Sequence, residues 1–336
     1  MNSRFKLTLT FMVASLLFVA TAAAYYLFAW FPAQNIQLNQ QRVIQISQGK
    51  GFNQLCRQLA FERVIRVCAP LKWYSKFVPG SRAIKAGSYL VKPDISHHAL
   101  LVLLSSGKEH QFAITFVEGE RLRDLLAKLA GIDNLIADIG PTDQLAQRLG
   151  SEYQNLEGLL FPDTYYFAAN SSGFDIVERA YQRMQSKLAL EWDNRASNLP
   201  YANAYEALIM ASIIEKETGL ARERDLISSV FINRLHKKMR LQTDPTVIYG
   251  LGERFNGDIT RKHLRQKTAY NTYRINGLPP TPIAMPGIES INAALHPANT
   301  QYYYFVSKKD QSHYFSKTLK EHNRAVRKYQ MRKIHG

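Results

Sequence analysis

AYEALIMASIIEKET, residues 204–218, is an apolar segment that ends with two carboxylates two positions apart. Because each residue of a helix advances about 100°, the segment predicts a helix with two different sides. The residues of one side are Leu208, Ala211, Ser212 and Glu215, and those of the other are Met210, Ile213, Ile214 and Glu217. We therefore expect only one of the two carboxylates to enter any single cleft.

The neighbours of the two carboxylates favour Glu215 as the one that does chemistry. Ala211 and Ser212 are small and leave room beneath Glu215 for another chain segment or a substrate, whereas bulky apolar residues surround Glu217. A carboxyl group that emerges from an apolar helix is desolvated, which raises its pKa and keeps it protonated as a general acid. The alternative is that both glutamates end the helix and pair with the lysine and arginines near them.

The segment from Arg240 to about Gly287 loses helical periodicity and is rich in Gly, Pro, Asn, Thr and Tyr. A long irregular segment in an ordered domain usually belongs to a site. We expect Pro245 to prevent LQTDPTVIYG (241–250) from forming a helix. Aromatic faces suit the C–H faces of a sugar ring, and amides and hydroxyls suit its hydroxyl groups. The predicted substrate-binding residues are Glu217, which assists by placing its neighbours, and Gln242, Thr243, Asp244, Tyr270, Asn271 and Tyr273.

The start of the chain predicts a membrane anchor. Leu7 to Phe31 contains no charged residue and would form a helix roughly 37 Å long, enough to cross a bilayer. Arg4 and Lys6 precede it, so the N-terminus is expected in the cytoplasm and the rest of the chain outside. A cleaved signal peptide ending near ATAAA (20–24) is the alternative, but the apolar run continues through aromatic residues that suit the outer interface.

The net charge of +16 favours an anionic neighbour. Because the basic surface lies outside the membrane, we expect phospholipid or cell-wall polymer rather than nucleic acid. Cys56 and Cys68 are the two cysteines, and we predict that they form a disulfide in an oxidising compartment, two isolated buried thiols being the alternative. The chain has no HExxH motif, phosphate-binding glycine loop or nucleophile elbow, so we expect neither a metal nor a cofactor.

Periodicity along the chain predicts a small α+β module followed by a mainly helical region. In the module, after a linker at 33–41, strands are predicted at 42–46, 86–91 and 110–117, and helices near 52–60 and 96–107. The adjacent His97 and His98 diverge on the second helix and are predicted to be surface residues. Later helices are predicted near 120–130, 142–149, 174–192, 204–217 and 222–238. A hairpin at 302–306 and 313–316 and a basic helix at 318–333 follow.

Several long motifs resemble the YceG-like (MltG) endolytic murein transglycosylases. The motifs, in chain order, are EGLLFPDTYYF (157–167), ASIIEKET (211–218), VFINRL (230–235), LQTDPTVIYGLG (241–252), YNTY (270–273), GLPPTPIAMPG (277–287) and AALHPA (293–298). The resemblance extends from the anchor to the last helix. It implies that the first glutamate of the EKE triplet, Glu215, is the catalytic acid. It also implies non-hydrolytic cleavage of the β-1,4 bond between MurNAc and GlcNAc inside peptidoglycan strands, which leaves 1,6-anhydro-MurNAc ends.

These expectations combine into one α+β architecture. It has a cytoplasmic tip and transmembrane helix (1–32), a linker (33–41), a LysM-like subdomain (42–117) and a lysozyme-like YceG catalytic domain (118–336) with a long irregular loop. We expect a single-pass inner-membrane enzyme, a carbon–oxygen lyase with its bulk in the periplasm. Its expected partners are glycan strands, the inner membrane and the peptidoglycan synthesis machinery. The alternatives are a muramidase-type hydrolase that uses Glu215 and Asp244, and a non-enzymatic wall-binding tether.

Overall fold

The structure is a computed structural model of the 336-residue chain. It describes residues 3–36 and 38–330, with side chains from residue 7 onward. The end of the predicted basic helix, 331–333, lies outside the described residues. The chain divides into two compact units, one of residues 1–112 with 166–169, and one of residues 113–165 with 170–336.

The first unit begins with the long apolar helix and continues into the small α+β module. Its helices are α1 (Ser3–Tyr25), α2 (Phe31–Ala33), α3 (Phe52–Phe61), α4 (Cys68–Tyr74) and α5 (His97–Ser106), with a π-helical turn at Tyr26–Trp30 after α1. Its strands β1 (Arg42–Ile46) and β2 (Gly87–Val91) pair antiparallel, with Arg42 opposite Val91 and Ile46 opposite Gly87. These boundaries confirm the strands predicted at 42–46 and 86–91 and both predicted helices, while the sequence analysis missed α4.

Helix α5 illustrates why the module's boundaries were predictable. The Ser96 side chain accepts a hydrogen bond from the Ala99 N–H and caps the first turn. Gly107 ends the helix with a φ of +73°, a conformation that glycine adopts without a Cβ penalty. His98 is exposed, as predicted, but His97 is only partly so and its Nδ1 lies 2.8 Å from the Gln34 carbonyl oxygen.

The apolar N-terminal helix fits a single membrane anchor. Leu7–Ala33 is long and apolar enough to cross a membrane, and none of its most apolar stretch is buried inside the protein. The end of the stretch and the residues just after it are buried instead. Phe31 and Ile36 belong to the core of the module, and the Ile36 N–H donates to the Ile95 carbonyl. The residues that follow the helix are therefore packed against the module.

Cys56 and Cys68 form the predicted disulfide between α3 and α4. Cys56 lies in the core of the module, beside residues of α3 and of the β1–β2 pair. The bond therefore fixes the start of α4 against the centre of the first unit.

The second unit is mainly helical. Its helices are α6 (Leu122–Ala130), α7 (Thr142–Arg148), α8 (Gly173–Asp193), α9 (Ala204–Glu217), α10 (Arg224–His236), α11 (Asp244–Leu251), α12 (Arg261–Arg265), α13 (Ile288–Leu295) and α14 (Leu319–Tyr329), with 3₁₀ turns at Ala221–Glu223 and Gly252–Arg254. The remaining strands are β3 (Phe112–Thr115), which pairs with β5 (Thr164–Phe167), β4 (Leu135–Ile136), which pairs with β6 (Ser171–Ser172), and β7 (Tyr304–Ser307), which pairs with β8 (His313–Ser316). The last pair confirms the predicted hairpin.

Helix α9 is the core of the second unit. Every residue from Ala207 to Ile214 is buried, and α8, α10, α11 and α13 all pack against the helix. The burial of both sides explains why the helix is apolar all round rather than along one stripe. Its C-terminal turn is the first part that emerges from this packing.

The prediction that Pro245 keeps 241–250 from forming a helix is wrong. Asp244 and Pro245 instead begin α11. Proline is favoured at the first helical positions, because its fixed φ suits the helix and the N–H that it lacks would have no partner there. The segment 241–287 also contains the short helix α12, so it is less irregular than the sequence suggested.

We expect replacement of Cys56 and Cys68 together by serine to lower the stability of the first unit by about 3 kcal/mol, because the unfolded chain loses a crosslink. Hydrogen exchange of the Ile44 and Tyr89 amides in the full-length protein measures this change. Reduction of the parent protein should give the same loss, and equal protection in all samples would contradict the prediction.

Candidate active site

Of the two carboxylates at the end of α9, Glu217 is the one that faces a cavity. It is the last residue of α9, and one of its carboxylate oxygens accepts a hydrogen bond from the Thr243 hydroxyl. The pKa of Glu217 is raised to about 7, because burial and, to a lesser extent, the charge of Asp244 outweigh the lowering effects of the Thr243 hydrogen bond and Arg234. A carboxyl group with this pKa carries its proton in about half of the molecules at neutral pH.

The cavity beside Glu217 has a volume of about 470 Å³. Helix α9, the loop before α11, the hairpin β7–β8 and helix α14 all contribute to its walls. The predicted site residues that line it are Glu217, Gln242, Asp244 and Tyr273. Four of the predicted residues therefore meet in one place, although the sequence separates them by up to 56 positions.

Thr243 holds the loop before α11 against Glu217. Thr243 is buried, and its N–H donates to the Thr272 hydroxyl at 3.0 Å. The Gln242 N–H donates to the Thr272 carbonyl at 3.2 Å, and Gln242 has a φ of +52°. This left-handed conformation turns the chain at Gln242, so that the residues before and after it contact different partners.

Asp244 and Tyr273 form a hydrogen-bonded pair in the same cavity. The Tyr273 hydroxyl donates to Asp244 Oδ1 at 2.7 Å. Burial, followed by this bond and the charge of Asp244, raises the pKa of Tyr273. Asp244 is exposed and accepts from the Tyr273 hydroxyl. The pair therefore offers a sugar an acceptor for its hydroxyl groups and an aromatic face for its C–H groups.

Arg234 is a site residue that the sequence analysis missed. It lines the cavity, and its guanidinium donates to the Tyr303 carbonyl at 2.6 Å and to the Leu241 carbonyl at 2.7 Å. It lies within the motif VFINRL (230–235), next to the buried residues Ile227 to Ile232. The signal in the sequence was an arginine among apolar residues of a predicted helix, because a buried arginine needs polar partners.

Asn271 stabilises the loop and does not line the Glu217 cavity. It is buried, and its side-chain amide donates to the carbonyls of His263, Leu264 and Gln266 at 2.6–3.3 Å. Its Oδ1 accepts from the Tyr273 N–H at 3.0 Å. Its carboxamide is thus fully used in holding α12 beside Tyr273.

Glu215 lies outside the Glu217 cavity. Its Oε2 accepts a hydrogen bond from the Gly287 N–H at 3.0 Å, one turn after the Ser212 hydroxyl accepts from the Ile283 N–H at the same distance. Burial raises the pKa of the neighbouring Glu118, and the negative charge of Glu215 raises it further. The room predicted beneath Glu215 exists, but the chain segment 283–287 fills it.

Tyr270 also lies outside the Glu217 cavity. It lines a second cavity of about 410 Å³ together with Arg121, Glu157 and Tyr249. The Tyr270 hydroxyl is 2.9 Å from the Thr281 hydroxyl. The sequence analysis singled out Tyr270 but missed the other three residues.

The sequence and structure are similar to those of known proteins. The model of the YceG-like family matches residues 44–328. The chain is 34% identical to the endolytic murein transglycosylase of Bacillus subtilis over 85% of this chain and 84% of that one. It is 29% identical to the endolytic murein transglycosylase of Streptococcus pneumoniae, strain R6, over 53% of this chain and 32% of that one.

A solved structure agrees with the sequence relatives. The crystal structure of a YceG-like protein from Listeria monocytogenes is 30% identical, and the match covers 85% of this chain and 99% of that chain with a TM-score of 0.54. The family model alone covers far more than half of the 336 residues. The chain therefore belongs to the YceG-like family.

Proposed function

We propose that the protein is an endolytic peptidoglycan transglycosylase with Glu217 as its general acid. The single observation that carries the proposal is a carboxyl group with a pKa near 7 in a cavity lined by polar and aromatic groups. The names of the Bacillus and Streptococcus relatives support the same reaction.

The geometry favours Glu217 over Glu215 as the acid. Glu217 faces open volume, and its pKa suits a group that must first give and then take a proton. Glu215 faces a backbone N–H of the packed segment 283–287. The expectation from residue sizes on α9 left room beneath Glu215 for either a chain segment or a substrate, and the segment 283–287 is what packs there.

One acid is sufficient for the reaction. Glu217 gives its proton to the glycosidic oxygen as the bond from MurNAc C1 to that oxygen breaks, and GlcNAc leaves with a free 4-hydroxyl group. The C6 hydroxyl of the same MurNAc then attacks C1, and the Glu217 carboxylate takes the hydroxyl proton. The product is a 1,6-anhydro ring, no water is consumed, and Glu217 regains its starting state.

The other residues of the cavity have binding roles in this proposal. Asp244 and Tyr273, joined by their hydrogen bond, contact the sugar through an acceptor and a ring face. Gln242 is exposed in the cavity and adds a side-chain amide. Thr243 sets the pKa and the orientation of Glu217 through its hydroxyl.

A muramidase-type hydrolase is the second candidate function. It needs a second carboxylate as nucleophile or as base for water, and Asp244 lies in the cavity. The hydrogen bond from Tyr273 already occupies one of the two carboxylate oxygens of Asp244. A non-enzymatic tether has no comparable support, because it gives no reason for a desolvated carboxyl group in an open cavity.

The proposal includes the setting of the enzyme. We infer a single anchor in the inner membrane with the small module and the second unit in the periplasm, a LysM-like role for the small module and a lysozyme-like catalytic domain. The apolar helix and the disulfide of the first unit support the periplasmic orientation. The synthesis machinery is the proposed source of the strands.

We expect Glu217→Gln to reduce cleavage of intact peptidoglycan by roughly 10²- to 10⁴-fold, because the amide cannot transfer the proton. Glu215→Gln keeps an oxygen that can accept from the Gly287 N–H and should retain most of the activity. Mass spectrometry of digests by the two purified variants measures both the rate and the sugar ends.

If Glu217→Gln is active and Glu215→Gln is inactive, Glu215 rather than Glu217 is the acid. Reducing MurNAc ends from the parent protein would replace the transglycosylase with the hydrolase. Circular dichroism of both variants controls for folding.

We expect the activity to fall as pH rises through about 7, because the cleavage step needs protonated Glu217. Thr243→Val removes a hydrogen bond that favours the charged carboxylate, so the pKa of Glu217 should rise and the alkaline limb should move to higher pH. The measurement is kcat/KM against pH for both proteins.

Thr300→Val is the matched control, since the Thr300 hydroxyl contacts Ser229 rather than Glu217. Its alkaline limb should coincide with that of the parent. If Thr243→Val leaves the alkaline limb unchanged or moves it to lower pH, the assignment of this pKa to Glu217 is contradicted.

A further inference from the structure

The second cavity lies at the other end of the helix that borders the Glu217 cavity. Asp244, the first residue of α11, lines the Glu217 cavity, and Tyr249, five residues later, lines the second one. Five residues of helix correspond to a rise of about 7.5 Å. A single helix thus borders both cavities.

The walls of this cavity combine aromatic faces with charged groups. The Arg121 guanidinium lies 5.3 Å from the centre of the Tyr249 ring, and the Tyr249 and Tyr270 rings lie 4.9 Å apart at an angle of 57°. Leu122 and Leu126 add apolar surface, and Thr142 adds a hydroxyl group. This mixture suits a pyranose, which has apolar C–H faces and a rim of hydroxyl groups.

A buried carboxyl group fixes these walls. Glu157 accepts hydrogen bonds from the Leu122 N–H at 2.8 Å and from the Tyr249 hydroxyl at 3.0 Å. Arg121 lines the same cavity and is partly exposed, with its guanidinium over the Tyr249 ring and its charge acting on Glu157. Its exposed side can therefore donate to a ligand in the cavity.

We propose that this cavity is a second sugar subsite, which binds another residue of the strand whose bond is cut beside Glu217. The proposal rests on the proposed function. A strand that occupies both cavities must continue beyond the bond that breaks and pass around α11, because Asp244 and Tyr249 point about 140° apart on that helix. The subsite therefore favours cleavage inside long strands over removal of their terminal sugars.

The test uses Arg121→Ala and Thr142→Trp, the second of which adds bulk at an exposed position of the cavity wall. Arg222→Ala is the matched control, because it removes the same charge at an exposed position outside both cavities. Titration calorimetry with the β-1,4-linked hexamer of GlcNAc measures affinity. Chromatography of digested peptidoglycan measures product length.

We expect Arg121→Ala to weaken hexamer binding about tenfold, the loss of roughly one charge-assisted hydrogen bond, and Thr142→Trp to weaken it by a similar factor because its ring fills part of the cavity. Both should still leave anhydro ends, and Arg222→Ala should behave as the parent does. Parent-like affinity in both cavity variants would overturn the subsite, while anhydro ends from the parent would leave the proposed function intact. Reducing ends from the parent would instead overturn the function, whatever the affinities.

A separate observation concerns the first unit, where α4 and the turn after it contact the membrane anchor. Phe77 packs edge-to-face on Phe28 with their ring centres 4.8 Å apart. Phe28 lies inside the apolar stretch Leu7–Ala33, five residues before its end. Phe77 therefore lies at the depth of the last turns of the anchor.

The residues around this contact have the composition of a membrane interface. Trp73 is 54% exposed and Phe77 56%, and Val67, the residue before α4, is exposed as well. Lys72 and Lys76 are exposed on the same segment, and Lys76 Nζ lies 4.1 Å from the centre of the Trp73 ring. We call Val67, Lys72, Trp73, Lys76 and Phe77 the α4 face.

We propose that the α4 face binds the surface of the bilayer that the anchor crosses. Trp73 and Phe77 enter the boundary between headgroups and acyl chains, where amphipathic rings are favoured. Lys72 and Lys76 bind anionic headgroups, and each adds the electrostatic attraction between a basic residue and an anionic membrane surface. The anchor brings the face to this depth, so the partner is lipid.

The three tryptophans of the chain allow a direct test. Full-length variants with phenylalanine at two of the three positions each keep one of Trp30, Trp73 and Trp192. They are reconstituted in vesicles of phosphatidylethanolamine and phosphatidylglycerol that carry a spin label near the headgroup. Trp30, in the anchor, is the positive control, and Trp192, in the second unit, is the negative control.

We expect the label to quench Trp73 fluorescence nearly as strongly as that of Trp30 and far more than that of Trp192. Lys72→Glu with Lys76→Glu should reduce the quenching of Trp73 and leave that of Trp30 unchanged. Quenching of Trp73 no stronger than that of Trp192 would overturn the proposal.

Discussion

The burial of helix α9 on all sides is the constraint on which the second unit depends. Four helices pack against it, so its apolar residues cannot be exchanged for polar ones without leaving an unpaired group in the core. The helix can carry a functional side chain only where it leaves this packing. Glu217 is at that point, half in the apolar interior and half in open volume, which is why its proton is held more tightly than that of an ordinary glutamate.

The local structure of this protein could be largely predicted from sequence. The cap of α5, the alternation of β1 and the hairpin β7–β8 each depend on residues close together in the chain. The disulfide was predictable because the chain has two cysteines and begins with an apolar helix. Pro245 was misinterpreted because its effect depends on whether it stands inside a helix or at its start, and no local pattern marked the start of α11.

The site was harder to predict, because its geometry depends on segments far apart in sequence. The room beside Ser212 and Glu215 was correctly expected, but the segment 283–287 occupies it, and only the folded chain shows this. Thr243 binds Glu217 and Asp244 lines the same cavity, whereas Asn271 binds backbone carbonyls and Tyr270 lines another cavity. The residue types alone could not divide these positions between two cavities or separate residues that line a cavity from those that support the loop.

The attachment of the anchor to the small module has a mechanical consequence. Phe31 and Ile36 are buried in the module, and the backbone of Ile36 is bonded to that of Ile95, so little free chain separates the apolar helix from the folded body. With this helix in a bilayer, a tension applied to the module is transmitted to the lipid with almost no slack. Thermal motion cannot carry the module away from the membrane by extending a spacer, and its height above the lipid is set by packing.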